Sequence, residues 1–307
     1  MMRAVWSFWS RPYEAGCHRV WVTDKHHLLA WVLSVEAASR HYPDTILYTD
    51  SDGARLLVDA LGLPFRRVST MLDSLAGRDV AWWNLGKLYA YRDQEEPFLH
   101  IDSDVFLWRA LSPEIATGAV IVQNPEEFEF DGCSWYQPVP MEAAVRAAGG
   151  WLPEEWTWHT ARRASTALCC GILGGARVDL LSHYADLAIR IMEHPGNRTA
   201  WSDEEKIEHS VLIEQYLLPA CIEFHDARAD SPFHGIEARC LFATADASRD
   251  PEAARRAGYT HLIGAAKADH VLAQRLEARV RRDYPEQYER VSCLFPRIAA
   301  AESARCA

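Results

Sequence analysis

Asp102 and Asp104 stand one residue apart, directly after the apolar run Phe98-Leu99-His100-Ile101. Two carboxylates so spaced can face one hard divalent cation, which takes oxygen ligands and keeps positions open for phosphate oxygens. The same triplet would also serve as an ordinary turn. Its setting favours the metal reading, because Val105-Phe106-Leu107 follows at once and a solvated turn has no need of burial on both sides. His261, Gly264 and Lys267 offer a second set: an imidazole ligand, a glycine that permits close backbone approach, and a lysine point charge for phosphate. By its type alone His261, one of 13 histidines, is more often a satisfied core or surface residue than a ligand, and Gly264 and Lys267 supply the argument for it as a ligand. Lys87 sits between Trp83 and Tyr89, where it either reaches the same ligand or lies over those rings as a solvated helix lysine.

The elements that must position these groups read as an α/β chain. Ala4 to Trp9 is a buried strand, Lys25 to Tyr42 a helix capped by Thr23 or Asp24, and Thr45 to Thr49 a second strand, which together make one βαβ unit. Asp50 to Gly53 makes a turn, although Asp50 also closes a strand on the ligand side, where it could hold a base or ribose hydroxyl. A short helix through Leu61 ends at Gly62, Pro64 to Val68 reads as a strand, and Trp82 to Gln94 as a helix. The acidic pair therefore lies at the C-terminal end of the strand Phe98 to Ile101, where open α/β sheets bind their ligands. Trp9, Ser10, Arg11 and Tyr13 follow the first strand and could stack a nucleobase or simply cover the sheet. In the second half Ala119 to Gln123, Ala167 to Gly174, Ile222 to His225 and Tyr259 to Ile263 read as strands. Phe128 to Pro140 reads as a loop, and Val178 to Met192 and Asp203 to Leu218 as helices. Asp269 caps a last helix carrying Leu272, Leu276 and Val280, which Pro285 ends or kinks.

The run Phe98 to Phe106 resembles the DxD strand of the GT-A-fold, nucleotide-sugar-dependent glycosyltransferases. Three further segments agree in order. Trp83 to Ala90 resembles the helix that presents a basic residue, here Lys87, to the donor sugar and its phosphates. Cys169 to Gly175 resembles the strand lining the donor-sugar pocket, with Gly171 at its centre. His261-Leu262-Ile263-Gly264-Ala265-Ala266-Lys267 is similar to the His-x-x-Gly-x-x-Lys segment of the glycogenin and lipopolysaccharide galactosyltransferase type. The resemblance implies a GT-A-type, Rossmann-like, mostly parallel sheet flanked by helices over 1–267, with a C-terminal helical tail over 268–307. It implies Asp102, Asp104 and His261 as ligands of Mn²⁺ or Mg²⁺. Donor contacts would come from Lys87, Ser103, Gly171, Gly264 and Lys267, with Trp9 and Asp50 toward the nucleoside. Glu214-Gln215 resembles the acidic-Gln pair beneath the sugar ring of retaining members, though the same two residues could be the solvated side of their helix. The implied reaction is transfer of a sugar from a nucleotide-diphosphate sugar, UDP foremost, to an acceptor, with retention.

Composition sets the outer bounds. In 307 residues, 49% are apolar and 24% charged, which describes a folding chain. The net charge of −11 repels a nucleic-acid backbone, and only Arg279, Arg281 and Arg282 form a basic cluster. No apolar run reaches the ~18 residues that span a bilayer, and Met1 to Pro12 lacks a signal-peptide pattern, so the expected location is the cytoplasm. The 8 cysteines are then expected as reduced thiols, with Cys169 and Cys170 packing as small hydrophobes. The alternatives to a transferase are a non-catalytic nucleotide-sugar-binding protein and a haloacid-dehalogenase-like phosphatase with Asp102 as nucleophile. The latter motif wants Thr or Val where Phe106 stands.

Overall fold

Strand-forming apolar runs and the helices between them assemble as the expected α/β architecture, a mostly parallel sheet flanked by helices. The computed structural model describes residues 2–17, 19–132 and 135–305, the last ten of these by backbone alone. The strands are β1 (Arg3–Phe8), β2 (Thr45–Thr49), β3 (Arg67–Ser69), β4 (Phe98–Ile101), β5 (Val105–Leu107), β6 (Val120–Glu127), β7 (Thr166–Gly175), β8 (Ala238–Cys240) and β9 (Tyr259–His261). Seven of them form one sheet in the order β3-β2-β1-β4-β7-β6-β8, and β5 pairs with β9 in a separate ribbon. Within the sheet β7 alone runs antiparallel to its neighbours β4 and β6, while the β1, β2, β3 and β8 pairings are parallel.

Period-two alternation divides the core between the two faces of the sheet. From β1, Val5 joins one hydrophobic cluster while Ala4, Trp6 and Phe8 join the other, and from β4 Phe98 parts from Leu99 and Ile101 in the same way. The helices Leu85–Arg92, Val178–Glu193 and Asp203–Asp226 cover the first face. The helix Asp24–Ser39 covers the second, together with the C-terminal helix His270–Asp283, whose Leu276 and Val280 are buried against it.

Local chemistry explains where the elements differ from expectation. The segment Ile222 to His225 is not a strand: the Asp203–Asp226 helix runs through Pro219 and includes it. A mid-helix proline forfeits one backbone bond, but buried Leu217, Leu218, Cys221, Ile222 and Phe224 on either side hold the helix together. Its start is fixed by a capping box, Ser202 to Glu205. The expected Phe128 to Pro140 loop is shortened at its far end, since a helix begins at Pro138, while β6 runs on past the expected Gln123 to Glu127; residues 133 and 134 lie outside the described ones.

Candidate metal and nucleotide site

The site begins with the way β4 ends. Asp102 N donates to Gly171 O at 3.0 Å and Val105 N to Asp102 O at 3.0 Å, so the chain turns tightly between the two aspartates before entering β5. β9 then zips antiparallel onto β5 with His261 opposite Val105 and Leu262 N donating to Asp104 O at 3.0 Å. That register brings a histidine more than 150 residues away in sequence to the acidic pair. One ligand atom from each of Asp102, Asp104 and His261 lies within 4.8 Å of the others, and His261 Nε2 is 3.4 Å from Asp104 Oδ1.

The imidazole is oriented from behind. His261 Nδ1 is 2.7 Å from Oε1 of fully buried Gln123, which also accepts from Tyr259 Oη at 2.5 Å. An amide oxygen can only accept, so Nδ1 carries a proton and Nε2 is the ring atom turned toward the carboxylates. Gly171 makes room for this arrangement: a Cβ there would lie 2.6 Å from the His261 ring and 2.5 Å from Gln123 Oε1. The glycine thus makes room for the histidine. β7 is irregular at the same place, its pairing with β6 stepping from Val122–Leu173 to Asn124–Cys169. This bulge turns the Cys170 carbonyl onto Lys87 Nζ at 3.1 Å and the Gly171 carbonyl onto Asp102 N.

Two lysines hold the carboxylates. Lys87 Nζ lies 2.7 Å from Asp102 Oδ1 and 2.8 Å from Glu214 Oε1, and Lys267 Nζ lies 2.6 Å from Asp104 Oδ2. Burial pushes the Asp102 carboxyl up, and Asp104 and Glu214 add to this against the pull of Lys87, leaving it at about 6. Burial acts likewise on Asp104, yet Lys267 and His261 outweigh it and hold that carboxyl well below the usual range. For Lys87 the desolvation cost is likewise outweighed, by Asp102 and Glu214, so its ammonium is stabilised. Three carboxylates thus face two ammonium groups, a balance that leaves the centre attractive to a divalent cation.

The cleft beside this centre is walled by Trp9, Tyr13, Trp21, His27, Ser103 and Lys267, with Lys87 and both aspartates at its floor. Trp21 stacks on His27 at 6.0 Å, and Tyr13 lies 5.2 Å from the same ring. Burial and the Lys267 charge push His27 down to about 4, so it is a neutral ring at neutral pH. Sequence reasoning named Trp9 and Tyr13 but missed Trp21, His27, Asn84, Tyr91 and Gln123. None of these belongs to a spacing pattern, and only the polar residue Gln123 at the end of an apolar run carried a signal.

Other candidates fall elsewhere. Asp50 does not line the cleft: Oδ2 accepts from Ser10 N at 2.9 Å and Ser10 Oγ at 2.8 Å, and Oδ1 from Gly53 N at 2.8 Å. The turn-capping role is therefore the one its contacts support. Glu214 is 2% exposed and no solvated helix residue; besides Lys87 it accepts from Tyr91 Oη at 3.1 Å and Asn84 Nδ2 at 3.4 Å. Gln215 points away from this network to the Tyr136 hydroxyl. Gly264 has φ +51° with open space around its Cα, so its reason is the left-handed backbone that starts the turn Gly264–Ala268 carrying Lys267. Cys169 and Cys170 are buried, and burial raises both thiols, as packing residues should be.

Residues 2–294 match a family described as of unknown function, DUF6734. The chain belongs to that family. No curated protein matches it. Among solved structures it is similar to an active-site glutamine-to-glutamate mutant of LgtC, at 13% identity and a TM-score of 0.34, over 69% of this chain and 70% of that one. Among the described residues no helix is long and apolar enough to cross a membrane.

Proposed function

We propose that this family member is a metal-dependent glycosyltransferase that takes its sugar from a nucleotide-diphosphate sugar, UDP-linked foremost. The observation that carries the reading is the convergence of Asp102, Asp104 and His261 on one point of a cleft that also presents Lys87, Lys267 and a row of aromatic rings. Two carboxylates and an imidazole with its Nε2 directed inward suit Mn²⁺ or Mg²⁺, and the Gln123 support is the kind of outer partner that metal-ligating histidines use. When bound, the cation neutralises the diphosphate leaving group.

The chain's own groups do the rest. Were Asp102 and Asp104 to turn to a cation, Lys267 would be free to face phosphate oxygens as a point charge, and Lys87, still held by Glu214, would have the donor it gives Asp102 released toward them. Tyr13, Trp21 and Trp9 supply flat apolar faces for a base. Glu214 sits behind Lys87 and fixes where its ammonium points, and Gln215, the other half of the expected catalytic pair, is held by Tyr136. The acceptor enters from the open side of the cleft, and retention of anomeric configuration is part of this reading. Incubation with a panel of nucleotide sugars and Mn²⁺ tests it: release of UDP with transfer to water or an added saccharide is expected, and NMR of the product's anomeric proton reads the stereochemistry. No turnover of any donor in the panel overturns it.

A non-catalytic nucleotide-sugar binder is the second reading. One observation favours it: neither Glu214 nor Gln215 lies on the cleft wall. Binding of a nucleotide sugar by calorimetry without turnover selects this reading.

A further inference from the structure

On the sheet face covered by Asp203–Asp226, three helices bring Glu155, His183 and His225 together. Glu155 belongs to the helix Glu154–Ala161, His183 to Val178–Glu193 and His225 to the last turn of Asp203–Asp226. His183 Nε2 is 2.9 Å from Glu155 Oε1, His225 Nε2 is 3.3 Å from His183 Nε2, and His225 Nε2 is 3.5 Å from Glu155 Oε1. Tetrahedral ligands at about 2.0–2.1 Å from a zinc ion stand about 3.3–3.4 Å from one another, the bond length times the tetrahedral edge ratio. The three atoms already form one face of such a tetrahedron. With the proton of each ring on Nδ1, a cation among the three atoms would take one lone pair from each.

The surroundings are built for ligation. Ser231 Oγ lies 2.9 Å from His225 Nδ1 and can accept its proton, which leaves Nε2 as the ligating atom. Phe233 packs on both rings, at 5.4 Å from His183 and 4.9 Å from His225, and Phe224 lies 5.2 Å from His225, so the site has an apolar shell. Nearby cations are engaged elsewhere: Arg228 reaches Glu154 and the Phe224 carbonyl, and Arg177 reaches Asp179 and the Pro232 carbonyl. The His183 side chain is 33% exposed, which gives solvent access for a fourth ligand.

We propose that Glu155, His183 and His225 form a second metal centre, selective for Zn²⁺, that pins the three helices together. Two imidazoles and one carboxylate suit zinc, whereas the Asp102 site, with two carboxylates and one imidazole, suits a harder cation. His225 follows Glu214 by eleven residues on one helix, about 16 Å along its axis, so this centre is separate from the cleft and does not depend on its function.

Equilibrium dialysis of the full chain against Zn²⁺ tests the assignment in an Asp104→Asn background, where the cleft site is disabled. One Zn²⁺ per chain is expected to remain, together with a Zn²⁺-dependent rise in Tm. Removing a ligand by His225→Ala or His183→Asn should weaken Zn²⁺ binding by more than the about 10–100-fold typical of outer-shell partners and remove the Tm rise. The partly exposed position of His183 makes His183→Asn the variant expected to fold without difficulty. Zn²⁺ stoichiometry and the Tm rise both unchanged in His183→Asn overturn the proposal, as does the absence of any bound Zn²⁺ in the Asp104→Asn chain.

Discussion

The ammonium of Lys87 is held 2.8 Å from the carboxylate of Glu214, a pair with side chains only 10% and 3% exposed. It ties the helix Leu85–Arg92 to the middle of Asp203–Asp226 at the floor of the cleft. Because Lys87 also meets Asp102, it is the link through which the buried helix can influence the strand end that carries the acidic pair.

Glu214→Ala should therefore destabilise the fold by about 3 kcal/mol, the lower end of the cost of stripping one partner from a buried ion pair, since Asp102 remains with Lys87. Glu214→Gln should cost less, because Tyr91 and Asn84 keep a hydrogen-bonding partner. Urea unfolding measures both. Kinetics of Glu214→Gln then locate its action: a residue working through Lys87 changes UDP affinity, whereas one beneath the reacting carbon lowers kcat about 10²-fold or more with UDP affinity intact.

Nucleotide binding should require a divalent cation. Calorimetry is expected to show UDP binding with Mn²⁺ and none in EDTA, because two carboxylates facing a diphosphate repel it unless a cation intervenes. Asp104→Asn should abolish the Mn²⁺-dependent part, and His261→Ala should weaken it less, since carboxylates dominate a hard-cation site. Equal UDP affinity with Mn²⁺ and with EDTA would remove the metal from the site.

Support for His261 should be measurable at a distance. Gln123→Ala frees the Nδ1 proton and should lower Mn²⁺ affinity about 10–100-fold. Gly171→Ala places a methyl within 2.6 Å of the same ring and should do likewise by displacing it. Mn²⁺ affinity at the wild-type level in both variants would show that the imidazole is not a ligand.

Acid should loosen the C-terminal helices first. Glu277 accepts from Lys25 at 2.7 Å and from Tyr288 at 2.6 Å, and these hydrogen bonds hold its carboxyl at about 2. A carboxylate unfolded near pKa 4.3 and depressed in the fold contributes stability that is present above about pH 4.3 and lost as pH falls through about 2. The stability difference between wild type and Glu277→Gln, measured by urea unfolding, is expected to shrink across that window. A difference independent of pH would mean that the Lys25 contact contributes nothing.

The strands β1, β2, β4 and β7, the cores of the long helices and the acidic pair's place at a strand end were all legible in the sequence. Each rests on local information: a short apolar run bounded by turn residues favours a buried strand, and a carboxylate pair is costly inside one, so it falls at the strand's end. The His261-to-Lys267 spacing was legible too, but its connection to Asp104 was not, because the β5–β9 register that joins them depends on pairing across the whole chain. The division of Glu214 and Gln215 between a buried ion pair and the Tyr136 hydroxyl was equally hidden. Adjacent helix residues point about 100° apart, and which of the two meets Lys87 is decided by how the helix is rolled against the sheet. The continuation of the same helix through Pro219 had the same origin, since a local breaker was overruled by apolar burial on both sides. The Glu155, His183 and His225 cluster gave no sequence signal at all, its members being 28 and 42 residues apart on three helices. Sequence alone determined which groups could do chemistry and which segments had to be buried; only packing, which sums contacts between distant segments, decided which of those groups meet.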